Sequence, residues 1–341
     1  MTHSKAKKQP QGIILNLIRF FQIALYIPIQ IIFIPFAFIG LILGIYKEMR
    51  IGKKMGISFS AIKTLQYRWS GHYFNVRLDS LSVAFIKKFP CESHFGLWSI
   101  LGALVISKRL FGFTPSAIKL VEPEKTFDAT AITRLGVFDR IVDKHIHEIE
   151  QLVLPGVGFD LIALNYIKNE KIKVFELDQV NTLNVKVDTL RKAGIEHDTI
   201  SFIPVDYENE SWTEKLLEAG FDKSKKTLFL WQSVSLFLEP EMVRDSLRKM
   251  ADLCSEGSVI AQDFYSKAFL SGEISKMAIK QFKIFEKQGE TTKFALEMSE
   301  DPELAVGKFL KDCGLKMKEY IQFGKEIGIK PFYCIVEAEK L

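Results

Sequence analysis

An α/β fold is predicted for roughly the last three-fifths of this 341-residue chain: a doubly wound, mostly parallel sheet of seven strands with helices on both faces. Three observations carry it. From about residue 150, short apolar runs alternate with stretches of helical periodicity. Polar residues close the runs in register, at Asp160, Asp178, Asp206, Gln232 and Asp263. The first run, Val153-Leu154-Pro155, stops at Gly156-Val157-Gly158-Phe159-Asp160, which reads as a strand turning directly into a helix. Glycines there allow a sharp turn and the close approach of a ligand, and strand ends near the topological switch are where such sheets bind nucleotide-like molecules.

Taken in order, the chain opens on an apolar segment. Its hydrophobic character begins at Ile13, and no charge occurs from Phe20 to Tyr46. That length passes the threshold of about 20 residues for a bilayer span, and it exceeds the apolar core of about 7–15 residues in a secretory signal. Membrane attachment through residues 13–46 is expected, with the α/β domain that follows cytoplasmic. Pro28 and Pro35 favour a kink or break in the segment. Cations flank both ends, at Lys5, Lys7 and Lys8 and at Lys47, Arg50, Lys53 and Lys54, so charge does not choose an orientation. A bent span and a re-entrant or interfacial anchor both stay open.

With residues 1–48 as the membrane-associated segment, residues 49–128 are expected to form a helical connector or lid. Arg68, His72, Arg77 and Asp79 lie among Tyr67, Trp69, Tyr73 and Phe74. They could line a substrate pocket, but an interfacial helix with snorkelling arginine is the reading favoured here. A second apolar run, Phe95 to Ile106, is too short to span. Asp143-x-His145-x-His147 suggests a metal site only superficially, since helix positions two apart diverge; no metal is expected.

Residues 129–341 hold the alternating pattern. Ile172–Asp178 is the second strand, followed by a helix closed at Gly194. Thr199–Val205 is the third, and Ser211-Trp212-Thr213-Glu214 makes a capping box. Thr227–Trp231 is the fourth strand, Pro240 opens a helix, and Ser258–Ala261 is the fifth strand. A helix from Asp301 to Gly314 precedes two final strands near 316–321 and 332–338.

Composition excludes several classes. The net charge of +5 is spread without a basic block, so no nucleic-acid partner is expected. Four scattered cysteines argue against a disulfide framework or a zinc site. A dinucleotide fingerprint would place a third glycine where Leu161 stands, and Asp160 would face the pyrophosphate. S-adenosyl-L-methionine, which has no phosphate, suits the turn better, with the Asp178 carboxylate accepting from ribose hydroxyls.

The chain resembles the leucine carboxyl methyltransferase-type family of S-adenosyl-L-methionine-dependent methyltransferases, in its bacterial O-methyltransferase branch. The resemblance rests on Arg134-x4-Asp139, Gly156–Asp160, Phe175-Glu176-Leu177-Asp178, Pro204-Val205-Asp206 and Trp231–Leu238. It implies the seven-stranded Rossmann-like methyltransferase sheet. It implies that Arg134 pairs with the cofactor carboxylate and that Gly156, Gly158 and Asp160 form the floor. Asp178 would hold the ribose, and Asp206 with Tyr207 would border the adenine. Gln232 stands where the family has glutamate beside the cofactor's amino group, and Ser233 replaces the glycine after it. The implied activity is methyl transfer, with oxygen of a small, lipid-like or membrane-associated acceptor as the expected target. His72, Asp263 and Tyr265 are the candidates for a general base. The alternative is a membrane-anchored binding or scaffold protein that keeps a degenerate methyltransferase fold, motivated by Gln232 and Ser233. Nothing in the sequence bears on oligomeric state.

Overall fold

The computed structural model describes residues 10–119, 121–166, 172–207 and 209–341; the cationic flank Lys5, Lys7 and Lys8 lies outside them. The apolar segment is one helix, α1 (Pro10–Ile45), which runs through both Pro28 and Pro35 and continues as a wider π-helical stretch, Tyr46–Gly52. No break occurs at either proline, and both lie on the exposed side. Three connector helices follow: α2 (Phe59–Tyr73), α3 (Ser80–Ile86) and α4 (His94–Phe111). Ser58, Asp79 and Ser93 cap them, each accepting a backbone N–H two or three residues inside the helix.

After α5 (Thr130–His145) comes the sheet: β1 (Gln151–Pro155), β2 (Lys173–Asp178), α6 (Val180–Ala193), β3 (Ile200–Pro204), α7 (Trp212–Glu218), β4 (Thr227–Trp231), α8 (Pro240–Leu253) and β5 (Val259–Tyr265). Then follow α9 (Lys267–Leu270), α10 (Lys276–Lys287), α11 (Pro302–Lys311), β6 (Leu315–Gln322) and β7 (Tyr333–Lys340). Strand order is β3-β2-β1-β4-β5-β7-β6, with β7 antiparallel to both neighbours and the rest parallel. The switch point lies between β1 and β4, so the glycine turn after β1 opens at the crevice. The helix expected immediately after that turn is only a 3-10 turn, Ile162–Asn165, and residues 167–171 lie outside the described ones.

Two cores cover the two faces of the sheet. One joins β1, β2 and α5 to connector residues Ile62, Leu65, Trp69, Phe85 and Phe89, so it crosses the boundary expected near residue 128. The other packs Phe175, Phe229 and Phe264 against α7, α8 and α11.

Where α1 ends, Lys47 donates to the Glu92 backbone carbonyl at 2.8 Å. The Glu92 side chain accepts from Gln66 and from the Ser93 N–H, and Gln66 and Lys63 also hold Glu48. Burial, with Glu48 nearby, pushes the Glu92 carboxyl up to about 7. Such a group favours the folded state fully below the unfolded carboxylate pKa of about 4.3, and that contribution is lost as pH rises to the folded value. Glu92→Gln is therefore expected to flatten part of the decline in unfolding free energy between about pH 4 and about pH 7, read by urea titration at each pH. Some slope remains, because burial likewise raises Asp139 to about 7. A variant slope equal to that of the parent would show that Glu92 does not titrate in this window.

Candidate active site

A cleft of about 1430 Å3 opens at the carboxyl ends of the strands. All eight residues expected at the cofactor line it: Arg134, Gly156, Gly158, Asp160, Asp178, Asp206, Tyr207 and Gln232. Tyr265 lines it too; Asp263 and His72 do not.

The floor is built by positive backbone torsions at Gly156 (φ 67°) and Gly158 (φ 54°). A Cβ on Gly156 would lie 2.5 Å from Val234 Cγ2, and one on Gly158 would lie 3.0 Å from Ala61 Cβ. Glycine is thus required by the protein's own packing, with α2 laid directly on the turn. Asp178 ties the turn to β2: its carboxylate accepts the Gly158 N–H at 2.7 Å and the Gln179 N–H at 2.8 Å. Burial raises its pKa against those hydrogen bonds, and a carboxylate with about four acceptor sites keeps room for a hydroxyl. The Tyr207 hydroxyl accepts from the Gly156 N–H at 3.1 Å. Burial raises that phenol, so it stays protonated and can donate into the cleft. Asp206 accepts from Asn209 at 2.8 Å.

Asp160 is engaged otherwise. One carboxylate oxygen accepts from Arg68 at 2.7 Å and the other from the Ile162 N–H at 2.8 Å. Its carbonyl accepts from Lys186 at 2.6 Å, and Lys186 also pairs with Glu176 at 2.7 Å, both side chains fully buried. Arg68 further approaches Asp79 and Asp139 at 3.4 and 3.6 Å, while Arg77 reaches Asp139 at 2.6 Å. The interfacial-helix reading of this stretch is therefore corrected: Arg68 and Trp69 are buried, because three carboxylates compensate the guanidinium. Of the pocket reading, Arg68, Arg77 and Asp79 do border a cavity of about 270 Å3, separate from the cleft, while His72 does not. Their effect on the cleft is indirect, through the hold on Asp160.

Arg134 projects from α5 with its Nη2 3.4 Å from Thr64 Oγ1 and its Nη1 3.8 Å from Asp263. Burial alone would lower its pKa; Tyr265, Tyr333, Asp263 and Tyr67 outweigh that and keep it charged. The Asp263 carboxylate is spoken for, accepting from the Ser233 N–H at 2.7 Å, Ser233 Oγ at 2.9 Å and the Tyr333 hydroxyl at 2.6 Å. These bonds hold Ser233 at φ 57°, a left-handed conformation that glycine would adopt without strain. Burial pushes the Tyr265 phenol up to about 12, so it is protonated at neutral pH. His72 lies away from the cleft, its Nδ1 accepting the Asp79 N–H at 3.0 Å. Among the described residues no cluster suits a metal ion, and His145 instead meets Glu337 at 2.6 Å. The Gln232 side-chain nitrogen is buried without a hydrogen-bond partner, and its residue borders the cleft. An unmet amide beside the floor fits a polar ligand group there.

Sequence reasoning missed the opposite wall. Ser60, Thr64 and Tyr67 of α2 face the cleft at helical spacing, and Phe127, Phe269, Phe282, Phe285 and Phe332 line it with Tyr265. Their rings pack edge to face or stacked, with centroids 4.9 Å apart for Phe127–Phe332 and 5.8 Å for Tyr265–Phe269. The amphipathic period of α10, with Phe282 and Phe285 on one side, was the available signal.

Residues 111–251 match the family model for leucine carboxyl methyltransferase. A Mycobacterium avium (strain 104) protein named "Putative S-adenosyl-L-methionine-dependent methyltransferase" is 28% identical over 145 residues, 42% of this chain and 47% of that protein. A protein of the same name from Mycolicibacterium gilvum (strain PYR-GCK) is 33% identical over 118 residues, 34% of this chain and 47% of its own length. The chain spans less than half the length of these curated relatives. Among solved structures, a mitomycin 7-O-methyltransferase aligns with 63% of this chain and 56% of its own at 12% identity, with a TM-score of 0.43. Through residues 111–251, the chain is thus similar to the leucine carboxyl methyltransferase family.

Proposed function

We propose that this chain is an S-adenosyl-L-methionine-dependent O-methyltransferase acting on an apolar acceptor whose oxygen arrives ionised, as a carboxylate or an acidic phenol. One observation carries the reading: the eight cofactor-type residues and a wall of six aromatic rings share a single cleft, with Arg134 beside Tyr265 where they meet. S-adenosyl-L-methionine supplies a methyl group already activated by its sulfonium. The protein's work is then to align the acceptor and exclude water, for which an aromatic wall is suited.

Arg134 would hold the cofactor carboxylate, the two glycine N–H groups and Asp178 its ribose side, and Gln232 its amino group. Turning the Gln232 amide over presents its oxygen to an ammonium, an assignment the unmet nitrogen favours. Of the three candidates for a base, His72 stands apart, Asp263 is occupied and Tyr265 keeps its proton. An acceptor that needs no deprotonation fits this arrangement, with the Tyr265 hydroxyl as a donor that orients it.

The test is methyl incorporation from labelled cofactor into membrane extract, followed by mild alkali. Release of the label as methanol marks an ester and hence a carboxylate acceptor; alkali-stable label marks an ether. If the protein neither binds S-adenosyl-L-methionine in calorimetry nor transfers label, the scaffold reading motivated by Gln232 and Ser233 replaces this one. Gln232→Glu is expected to tighten cofactor binding roughly fivefold, the difference between a neutral and a charge-assisted contact to an ammonium. An unchanged Kd would remove Gln232 from the amino-group site.

A further inference from the structure

The outward face of α1 is apolar from Phe20 to Ile45. Ile23, Ile27, Ile31, Ile34, Phe38 and Ile42 are all exposed, by between 41% and 65%. Its inner stripe packs on α4 by close contact of small residues: a Cβ on Gly40 would lie 2.7 Å from the Gly96 carbonyl, and one on Gly102 would lie 2.5 Å from Phe33. The pairing is antiparallel. Lys47 meets Glu92 at one end; at the other, Gln22 donates to the Phe111 carbonyl at 2.9 Å and Tyr26 stacks on Phe113 at 5.1 Å.

The far side of α4 belongs to the catalytic body. Leu97 is part of its core, Trp98 and Leu101 pack against it, and Val105 is fully buried. Both ends of α4 return to the body as well. Trp69 in α2 meets Trp98, and Ala117, six residues past the helix end, already lines the cleft. The helix α4 is thus a middle layer, and residues 22–47 of α1 lie alongside the body as the outermost one. A bilayer crossing by that part of α1 would have to carry α4, and the body fixed to it, into the hydrocarbon. The length of α1 agrees: 36 residues reach about 54 Å, well beyond a hydrocarbon core of about 30 Å. Exposed cations flank the charge-free stretch Phe20–Tyr46, Arg19 with Arg109 on one side and Arg50, Lys53 and Lys54 on the other, as anionic headgroups require.

We propose that α1 lies in the plane of an anionic phospholipid bilayer as a monotopic anchor, its outward face in the acyl boundary and α4 behind it. From Phe113 to Ala117 the chain can extend no more than about 14 Å, so the anchor's surface ends close to the cleft. Given the methyltransferase reading, the cleft then takes an amphiphilic acceptor from the bilayer surface; the docking itself does not depend on that reading.

The full chain is tested by flotation with sealed vesicles of phosphatidylcholine containing phosphatidylglycerol. Binding is expected, and the double variant Ile31→Glu/Phe38→Glu is expected to weaken it by at least about tenfold while leaving thermal unfolding unchanged, since both positions are exposed. Binding that survives the double substitution overturns the proposal. Arg19→Cys and Lys54→Cys, each probed with an impermeant maleimide added outside the vesicles, are expected to label equally. Protection of Arg19→Cys until detergent is added would mean a crossing helix and also overturns it. So would a vesicle-independent dimer that the double substitution dissociates, because a second copy would then cover the face. Calorimetry with S-adenosyl-L-methionine on the same samples keeps the readings apart: a protein that docks without binding cofactor refutes the enzyme and leaves the anchor standing.

Discussion

Arg134→Ala is expected to weaken S-adenosyl-L-methionine binding by about two orders of magnitude, or about 2.7 kcal/mol, while the fold persists. Arg134 is 7% exposed, stays charged and borders the cleft next to the glycine floor. A buried guanidinium that meets a carboxylate makes short, charge-assisted bonds, and removing one partner leaves the other desolvated. The fold should survive because Asp263, the nearest anion, retains its bonds from Ser233 and Tyr333. Arg134→Lys keeps the charge but not the planar fork and should fall between the two. Titration calorimetry with circular dichroism as a fold control decides it. An alanine variant that binds as tightly as the parent would show that the cofactor carboxylate lies elsewhere.

How much of this was legible depends on how local each signal is. The parallel strands are buried on both faces, so Leu152–Leu154 and Leu228–Trp231 are written as continuous apolar runs that sequence alone exposes. Gly156, Asp178, Asp206 and Gln232 follow such runs directly, and the cleft residues among them could be named from spacing. Arg68 could not. In sequence it sits among aromatics like a snorkelling cation; what buries it is Asp160, 92 residues away, together with Asp139 and Asp79. The same holds for α1. Its composition is apolar enough for a bilayer, but its packing along α4 was not legible, because the run Phe95–Ile106 in α4 gives no local sign of a partner helix. The turn Ile162–Asn165 misled because one apolar turn has the same local pattern as the start of a helix.

Lys186→Met is expected to cost about 3–5 kcal/mol of unfolding free energy, the price of leaving Glu176 buried without its partner. Both side chains are fully buried, and burial already raises the Glu176 pKa against the pull of Lys186. Without the ammonium, Glu176 must take up a proton or draw in water, and either is unfavourable in that core. Glu176→Leu/Lys186→Met removes both charges and should restore most of the stability, because a buried ion pair is often no better than an apolar pair of like volume. Cofactor binding should not return with it. The Lys186 ammonium also donates to the Asp160 carbonyl at 2.6 Å, holding the acid end of the turn from α6 while Arg68 holds the Asp160 carboxylate from α2. In the double variant that carbonyl has lost its donor, so the glycine floor loosens in a protein of near-normal stability. Urea unfolding and calorimetry on the two variants therefore separate the roles. Recovery of both stability and affinity in the double variant would make Lys186 a counter-ion only; recovery of stability alone assigns it the positioning of the turn.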